Sequence, residues 1–374
     1  MRIKPYRLAL SASVLAGAVL CLAATSGTVH AADARVEVTP TVFRAGDYLI
    51  QGDRGRLFVP ENREEADSRL IEIGFIRLRQ EEGQSSAEPP VVFLPGGPGQ
   101  PVLEHAKDFA ATYKNYLNLG GQSDMLVVEQ RGIGQSKPRL DCPGELSRPL
   151  DQPLTAEIMG STHRRFIETC MEHWIDEGVD PAGYNVVSMA DDIDALREGL
   201  GYEKIKIFGE SFGAHHGLAV IARHGEHVER AVLSAVIGPD DMFELPDEID
   251  SRLQVIERRA IEEGSWQEQA SMSAVLDGID EPIDVRLQSD RHDLSLTLGR
   301  YDLALATVTL AQQTGFLEQL PLLYGAIAAG DATWLGTWSA NLRTAHNTNL
   351  ASLLITCASG ASIDRRAEIT RQAA

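Results

Sequence analysis

The stretch Lys204–Val220, KIKIFGESFGAHHGLAV, decides how this chain is read. Ile205 and Ile207 alternate with lysines, the pattern of a short strand with a buried face. The chain then passes through Gly209-Glu210-Ser211-Phe212-Gly213 into a run of small residues that reads as helix. Strand, G-x-S-x-G and helix in that order make a sharp, strained turn that lifts a serine hydroxyl above the edge of a sheet. Side chains at the two glycines would clash where strand and helix meet. Ser211 is the candidate nucleophile.

A nucleophile of this kind needs backbone donors aimed at the oxygen that becomes negative during acyl transfer. One follows from the turn itself, the N–H of Phe212. The other comes from upstream, where Pro90-Val91-Val92-Phe93-Leu94 reads as a strand buried on both faces and ends in Pro95-Gly96-Gly97-Pro98-Gly99. Glycines let the backbone approach a substrate and the prolines stiffen the loop. Gly97 is the expected second donor, with Gly96 beside it.

Outward from these two bends, the chain alternates strand and helix. Tyr48–Val59 and Arg69–Arg79 read as an antiparallel hairpin at a sheet edge, joined by the polar turn ENREEADS. A helix is expected around Glu104–Leu117, and then Asp124–Glu129 forms a buried strand running into Gln130–Ser136. The polar segment Pro138–Asn185 reads as surface loops with one helix near Ala156–Ile175. Ser188–Leu200 reads as an amphipathic helix capped by Ser188, with Asp191 and Asp192 in its first turn. Arg230–Ile237 is a further strand. The order predicts an α/β fold, a mostly parallel sheet with an antiparallel N-terminal hairpin and helices on both faces. From Met242 to Leu342 the pattern turns helical, a cap inserted above the sheet, and Leu350–Thr356 is apolar enough to return to the core. The expected domains are 1–31 (leader), 32–241 (core), 242–345 (cap) and 346–374 (start of the return).

The N-terminus has a cationic tip (Arg2, Lys4, Arg7), an apolar run from Leu8 to Ala24 and an A-x-A-like end at Val29-His30-Ala31. This is the pattern of a secretory signal peptide cut after Ala31, which predicts a secreted or periplasmic protein. The run is short and rich in alanine and serine, which argues against a stable membrane anchor. Leu20 before Cys21 argues against lipid attachment there. Removing the leader takes three cations and no acid, so the formal charge moves from −20 to −23. Such a surface repels nucleic acid and favours cationic partners. Three cysteines remain: a Cys142–Cys170 bridge would contribute roughly 3–4 kcal/mol on the chain-entropy model. Cys357 is then left over, which points to an intermolecular partner, a free thiol or a partner in chain beyond this sequence.

PGGPG, VEQRGIGQS and GESFG at these separations resemble the α/β-hydrolase family of prolyl and tripeptidyl aminopeptidases. The likeness covers Val91–Ile237 well and continues more loosely through GPDDMFELP and CASGAS. It implies a serine peptidase releasing N-terminal residues or short peptides, without cofactor, with Arg131 as a structural brace beside the site. Two other outcomes fit the same motifs: a carboxylesterase acting on small esters, and an inactive remnant that binds peptides or nothing.

In this fold an acid and then a histidine follow the nucleophile, each after its own late strand. Past Leu350 there is no histidine, and the only aspartate is Asp364. The expectation is therefore a chain truncated at its C-terminus, with the Arg230–Ile237 strand left as an open edge. Among internal substitutes, His215 and His216 lie in the first turns of the elbow helix, His224 and His227 near its far end, His292 and His346 in or after the cap, and His105 beyond the glycine loop. No histidine pair shows metal-ligand spacing with acids along the chain, so no metal is expected. Oligomeric state is not legible.

Overall fold

The structure is a computed structural model that describes residues 35–45, 47–80, 86–103, 115, 118, 121–264, 271–288, 293–311, 319–344 and 348–372. The expected leader and its cleavage site, and most of the expected Glu104–Leu117 helix, lie outside these residues.

Seven strands form one sheet: β1 (Arg35–Ala45), β2 (Tyr48–Pro60), β3 (Leu70–Leu78), β4 (Val91–Leu94), β5 (Met125–Val128), β6 (Ile205–Glu210) and β7 (Val228–Ser234). They lie in the order β1-β2-β3-β5-β4-β6-β7. β1 to β3 form an antiparallel meander that continues antiparallel onto β5, and β5, β4, β6 and β7 run parallel. The α/β-hydrolase architecture expected from the sequence is present, with one strand more. The β2–β3 hairpin is not at the edge, because β1 pairs along β2 from Arg35 to Ala45 and takes that place.

Strand parity explains the two cores. Val92, Leu94, Leu126, Val128, Ile205 and Ile207 face one side, against Ala190, Ile193, Leu196 and Val220 of two helices, Val186–Gly199 and Phe212–His224. Val91, Phe93, Met125 and Val127 face the other side with Phe43 and Ile50. β3 serves both: Ile71, Ile73 and Phe75 enter the first core and Ile76 and Leu78 the second. The helix Val186–Gly199 is capped by Asn185, whose side chain accepts from the Ser188 N–H at 2.8 Å. Ser188 is therefore an interior residue and not the cap, and Asp191 and Asp192 sit one turn further in than expected.

The region after β7 has its own core. Helices Pro246–Glu262, Met272–Asp277, Arg300–Ala311, Gln319–Ala328 and Thr333–Arg343 surround an antiparallel hairpin, β8 (Ile283–Gln288) with β9 (Asp293–Leu298). A wholly helical cap was expected. The hairpin has the two-residue alternation of a half-buried ribbon, with Val285, Leu296 and Leu298 buried. Inside this core Arg343 pairs with Asp302, which also accepts from Ser339 Oγ at 2.8 Å. The chain then returns as a helix, Leu350–Ser359, that buries Leu350, Ala351 and Ile355 beside Phe212. A last helix, Ile363–Gln372, follows.

Candidate active site

β4 is the strand from which the chain crosses to opposite sides, to β5 on one flank and β6 on the other. In parallel α/β sheets the crevice outside the carboxyl ends at such a point is where ligands bind. The glycine loop leaves β4 there and the serine turn leaves β6 there.

Ser211 has φ 56° and ψ −123°, a conformation that costs a non-glycine residue of order 1–3 kcal/mol and persists only where surrounding structure enforces it. Its N–H donates to Ser234 O at 3.0 Å, and its carbonyl accepts from the Ala214 N–H at 2.9 Å. The flanking glycines are sterically required. A Cβ at Gly209 would lie 2.4 Å from Gly213 O, and one at Gly213 would lie 1.9 Å from Leu94 O. The side chain of Ser211 is half-buried, and its hydroxyl has no hydrogen-bond partner among the described residues.

The two bends meet. A Cβ built on Gly96 would lie 3.4 Å from Ser211 Cβ. Gln130 holds the loop from behind: its side-chain oxygen accepts from the Gly99 N–H at 2.8 Å, and its Nε2 donates to Gly96 O at 3.3 Å. Across the planar Gly96–Gly97 peptide, engaging that carbonyl turns the Gly97 N–H to the opposite side, away from Gln130. Among the described residues neither the Gly97 nor the Phe212 N–H has an acceptor. Ser352, on the returning helix, donates to Pro98 O at 2.6 Å and packs where a Gly99 side chain would stand. Gln130 and Ser352 both escaped the sequence reading. Gln130 stands beside Arg131 in VEQRGIGQS with no pattern of its own to mark it, and Ser352 carries no local signal.

Arg131 is fully buried and acts as a brace. Its guanidinium meets both Asp192 oxygens, at 2.9 and 2.8 Å, and also donates to the carbonyls of Glu61 and Gly183. Glu129 accepts from the Leu103 and Val102 N–H groups, at 2.9 and 3.2 Å. Cys142 and Cys170 are joined by a disulfide that ties the Pro138–Asn185 segment to its helix Ala156–Asp176, and Cys357 is free and exposed.

None of the described histidines reaches Ser211. His215 turns to Gly238 O, 3.2 Å from its Nδ1, and its ring lies against Phe212. His216 is enclosed in the core. Burial pulls its pKa down to about 4, against the raising influence of the Met189 backbone and Asp192, and neither ring nitrogen makes a hydrogen bond of good geometry. His224 and His227 bond to carboxylates at the other end of the helix. His105, His292 and His346 lie outside the described residues. Asp364, the last aspartate, begins the exposed final helix.

Residues 89–263 match the family described as the alpha/beta hydrolase fold. Serine protease Hip1 of Mycobacterium tuberculosis (strain ATCC 25618 / H37Rv) is 26% identical over 248 residues, covering 62% of this chain and 46% of that protein. A tripeptidyl aminopeptidase of Streptomyces coelicolor is 24% identical over 193 residues, covering 50% of this chain and 35% of that protein. The chain thus spans less than half the length of these curated relatives. Among solved structures, a proline iminopeptidase-related protein from Thermus thermophilus aligns with a TM-score of 0.27 at 18% identity, covering 59% of this chain and 50% of that one.

Proposed function

We propose that this chain, whose residues 89–263 match the alpha/beta hydrolase fold family and which has a serine protease and a tripeptidyl aminopeptidase among its relatives, is an exported serine hydrolase that releases N-terminal residues or short peptides through an acyl-enzyme on Ser211. The observation that carries the reading is the strained Ser211 turn set against a glycine loop, with two backbone N–H groups that have no acceptor among the described residues. In the reaction Ser211 Oγ adds to the scissile carbonyl as its proton passes to a base. The Gly97 and Phe212 N–H groups hold the oxyanion, each such donor contributing about 2.7–4 kcal/mol to the transition state. The amine leaves with a proton, and water then releases the acyl group. The small residues and prolines at the loop keep the donors in place before substrate arrives, so no reorganisation is needed at the moment of reaction.

The test is covalent labelling by a fluorophosphonate. Modification of Ser211 in the folded chain, lost in Ser211→Ala, supports acyl transfer. A folded chain that takes no label overturns acylation by this chain and leaves an inactive remnant that binds peptides or nothing. Turnover of aminoacyl- or tripeptidyl-naphthylamides over p-nitrophenyl esters supports the peptidase, and the reverse preference assigns a carboxylesterase. Export predicts that protein recovered outside the cytoplasm begins at Ala32, and a product that retains Met1 sinks that part.

A further inference from the structure

The far end of the elbow helix gathers side chains that the acyl-transfer chemistry does not use. His224 closes the helix Phe212–His224, and His227 ends the short turn Gly225–His227 that follows. Asp191 and Asp194 face them from the helix Val186–Gly199. His227 Nδ1 is 2.8 Å from Asp194 Oδ1, and His224 Nδ1 is 3.5 Å from Asp194 Oδ2. One ligand atom from each of Asp194, His224 and His227 lies within 4.8 Å of the others. Ligand atoms around a four-coordinate zinc with bonds near 2 Å stand roughly 3.4 Å apart, so little movement would close the set.

Solvated ion pairs are the plainer account of such a cluster, and the environment of His224 argues for more. Its Nε2 is 2.8 Å from Asp191 Oδ1. A carboxylate on one ring nitrogen fixes the tautomer and leaves the other nitrogen's lone pair outward, the arrangement that supports metal-bound histidines. Here that nitrogen faces a second carboxylate, 3.5 Å away, an arrangement that either a bound cation or a proton on that nitrogen makes favourable. Asp191 is itself held by Arg223, at 2.7 and 3.0 Å, and Asp194 by Arg197 at 2.7 Å. These guanidiniums repel any cation. They disfavour calcium and magnesium, which need many oxygen ligands, more than a transition ion that gains from imidazole.

We propose that His224, His227 and Asp194 form a divalent transition-metal site of the zinc type, with Asp191 orienting His224 and water completing the coordination. The ion would staple the end of the elbow helix to its neighbour, a full helix away from Ser211. Spacing along the chain gave no sign of it, because the carboxylate arrives from the preceding helix.

Titration of untagged, metal-free protein with zinc chloride, by calorimetry and by thermal unfolding, tests the site. One equivalent is expected to bind and to raise Tm by a few degrees when in excess. Cobalt in its place should show the intense visible bands of a four- or five-coordinate ion. His224→Asn, His227→Asn and Asp194→Asn should each weaken binding at least about tenfold, and Asp191→Asn by about tenfold through loss of the orienting bond. His173→Asn, on another helix, should leave binding unchanged. No zinc uptake by the wild-type chain at about 0.1 mM, a range ample for a built site, overturns the proposal. So does wild-type affinity in a folded His224→Asn, His227→Asn double variant, which would mark the ion as adventitious.

Discussion

β6 and β7 pair side by side in one sheet, yet their surroundings differ sharply. Ile205 and Ile207 of β6 are buried, whereas Val232 of β7 is 61% exposed and most of its strand faces solvent. Val232 pairs with Phe208, the last residue to pack on the second core, so it prolongs an apolar face that no described residue covers. Leu233, on the opposite face, still touches the elbow helix: a Cβ at Gly217 would come within 2.8 Å of it. Alternating apolar residues make a strand, and other segments decide whether it is inside. Among the described residues the sheet ends at β7, which spans Val228–Ser234 and not the expected Arg230–Ile237, and as a strand with free ladder groups it is a site for pairing with another chain.

Substitutions at the covered side should be costly and at the open edge cheap. Arg131→Met leaves Asp192 buried without its main partner and should lower stability by about 3–5 kcal/mol in urea unfolding; a loss under about 1 kcal/mol would remove Arg131 as the brace of the covered side. His216 comes next. Its folded pKa of about 4 lies below the ordinary 6.5, so the unfolded chain binds the extra proton between these values. Its contribution is full above pH 6.5 and is lost as pH falls towards 4, on the order of 3 kcal/mol. His216→Leu should flatten the stability profile in that window.

Asp191 and Asp194 act lower on the pH scale. Burial raises both carboxyls, but hydrogen bonds from Arg223 and His224, and from Arg197 and His227, outweigh it and bring them below the usual range. Their contribution is present above the unfolded carboxylate pKa and disappears below it, so an acid limb should remain in His216→Leu. Gln130→Ala should slow fluorophosphonate labelling of Ser211 about tenfold with the circular dichroism unchanged, since it removes the bonds to Gly96 and Gly99 and leaves the core alone. An unaltered rate would show that the loop holds its own shape. Val232→Ser should change stability by no more than about 0.5 kcal/mol, while reducing self-association; a loss comparable to that of a core substitution would mean that the edge is covered in solution.

The serine turn and its glycines were legible because their causes are local. A positive φ at Ser211 and the clashes at Gly209 and Gly213 involve residues within a turn of each other or the adjacent strand. The same holds for the β4 loop and for the strands whose parity sets their burial. The extra strand β1 was not anticipated. Its alternation is weak, with Val38 and Val42 facing solvent, and its pairing with β2 does what hydrophobicity does elsewhere. The β8–β9 hairpin was missed inside a helical stretch because six-residue strands carry too few repeats to stand out.

The sequence by itself determined the α/β order, the sharp turn at Ser211 and the facing glycine loop, since backbone sterics and side-chain period act over a few residues. Only the tertiary structure decided that Gln130 and Ser352 hold that loop, that Asn185 rather than Ser188 caps its helix, and that Asp194 meets His224 and His227. Ser352 and Pro98 are 254 residues apart in the chain. A bond over that distance leaves no periodic trace, because it depends on where whole helices come to rest once the sheet has chosen its neighbours.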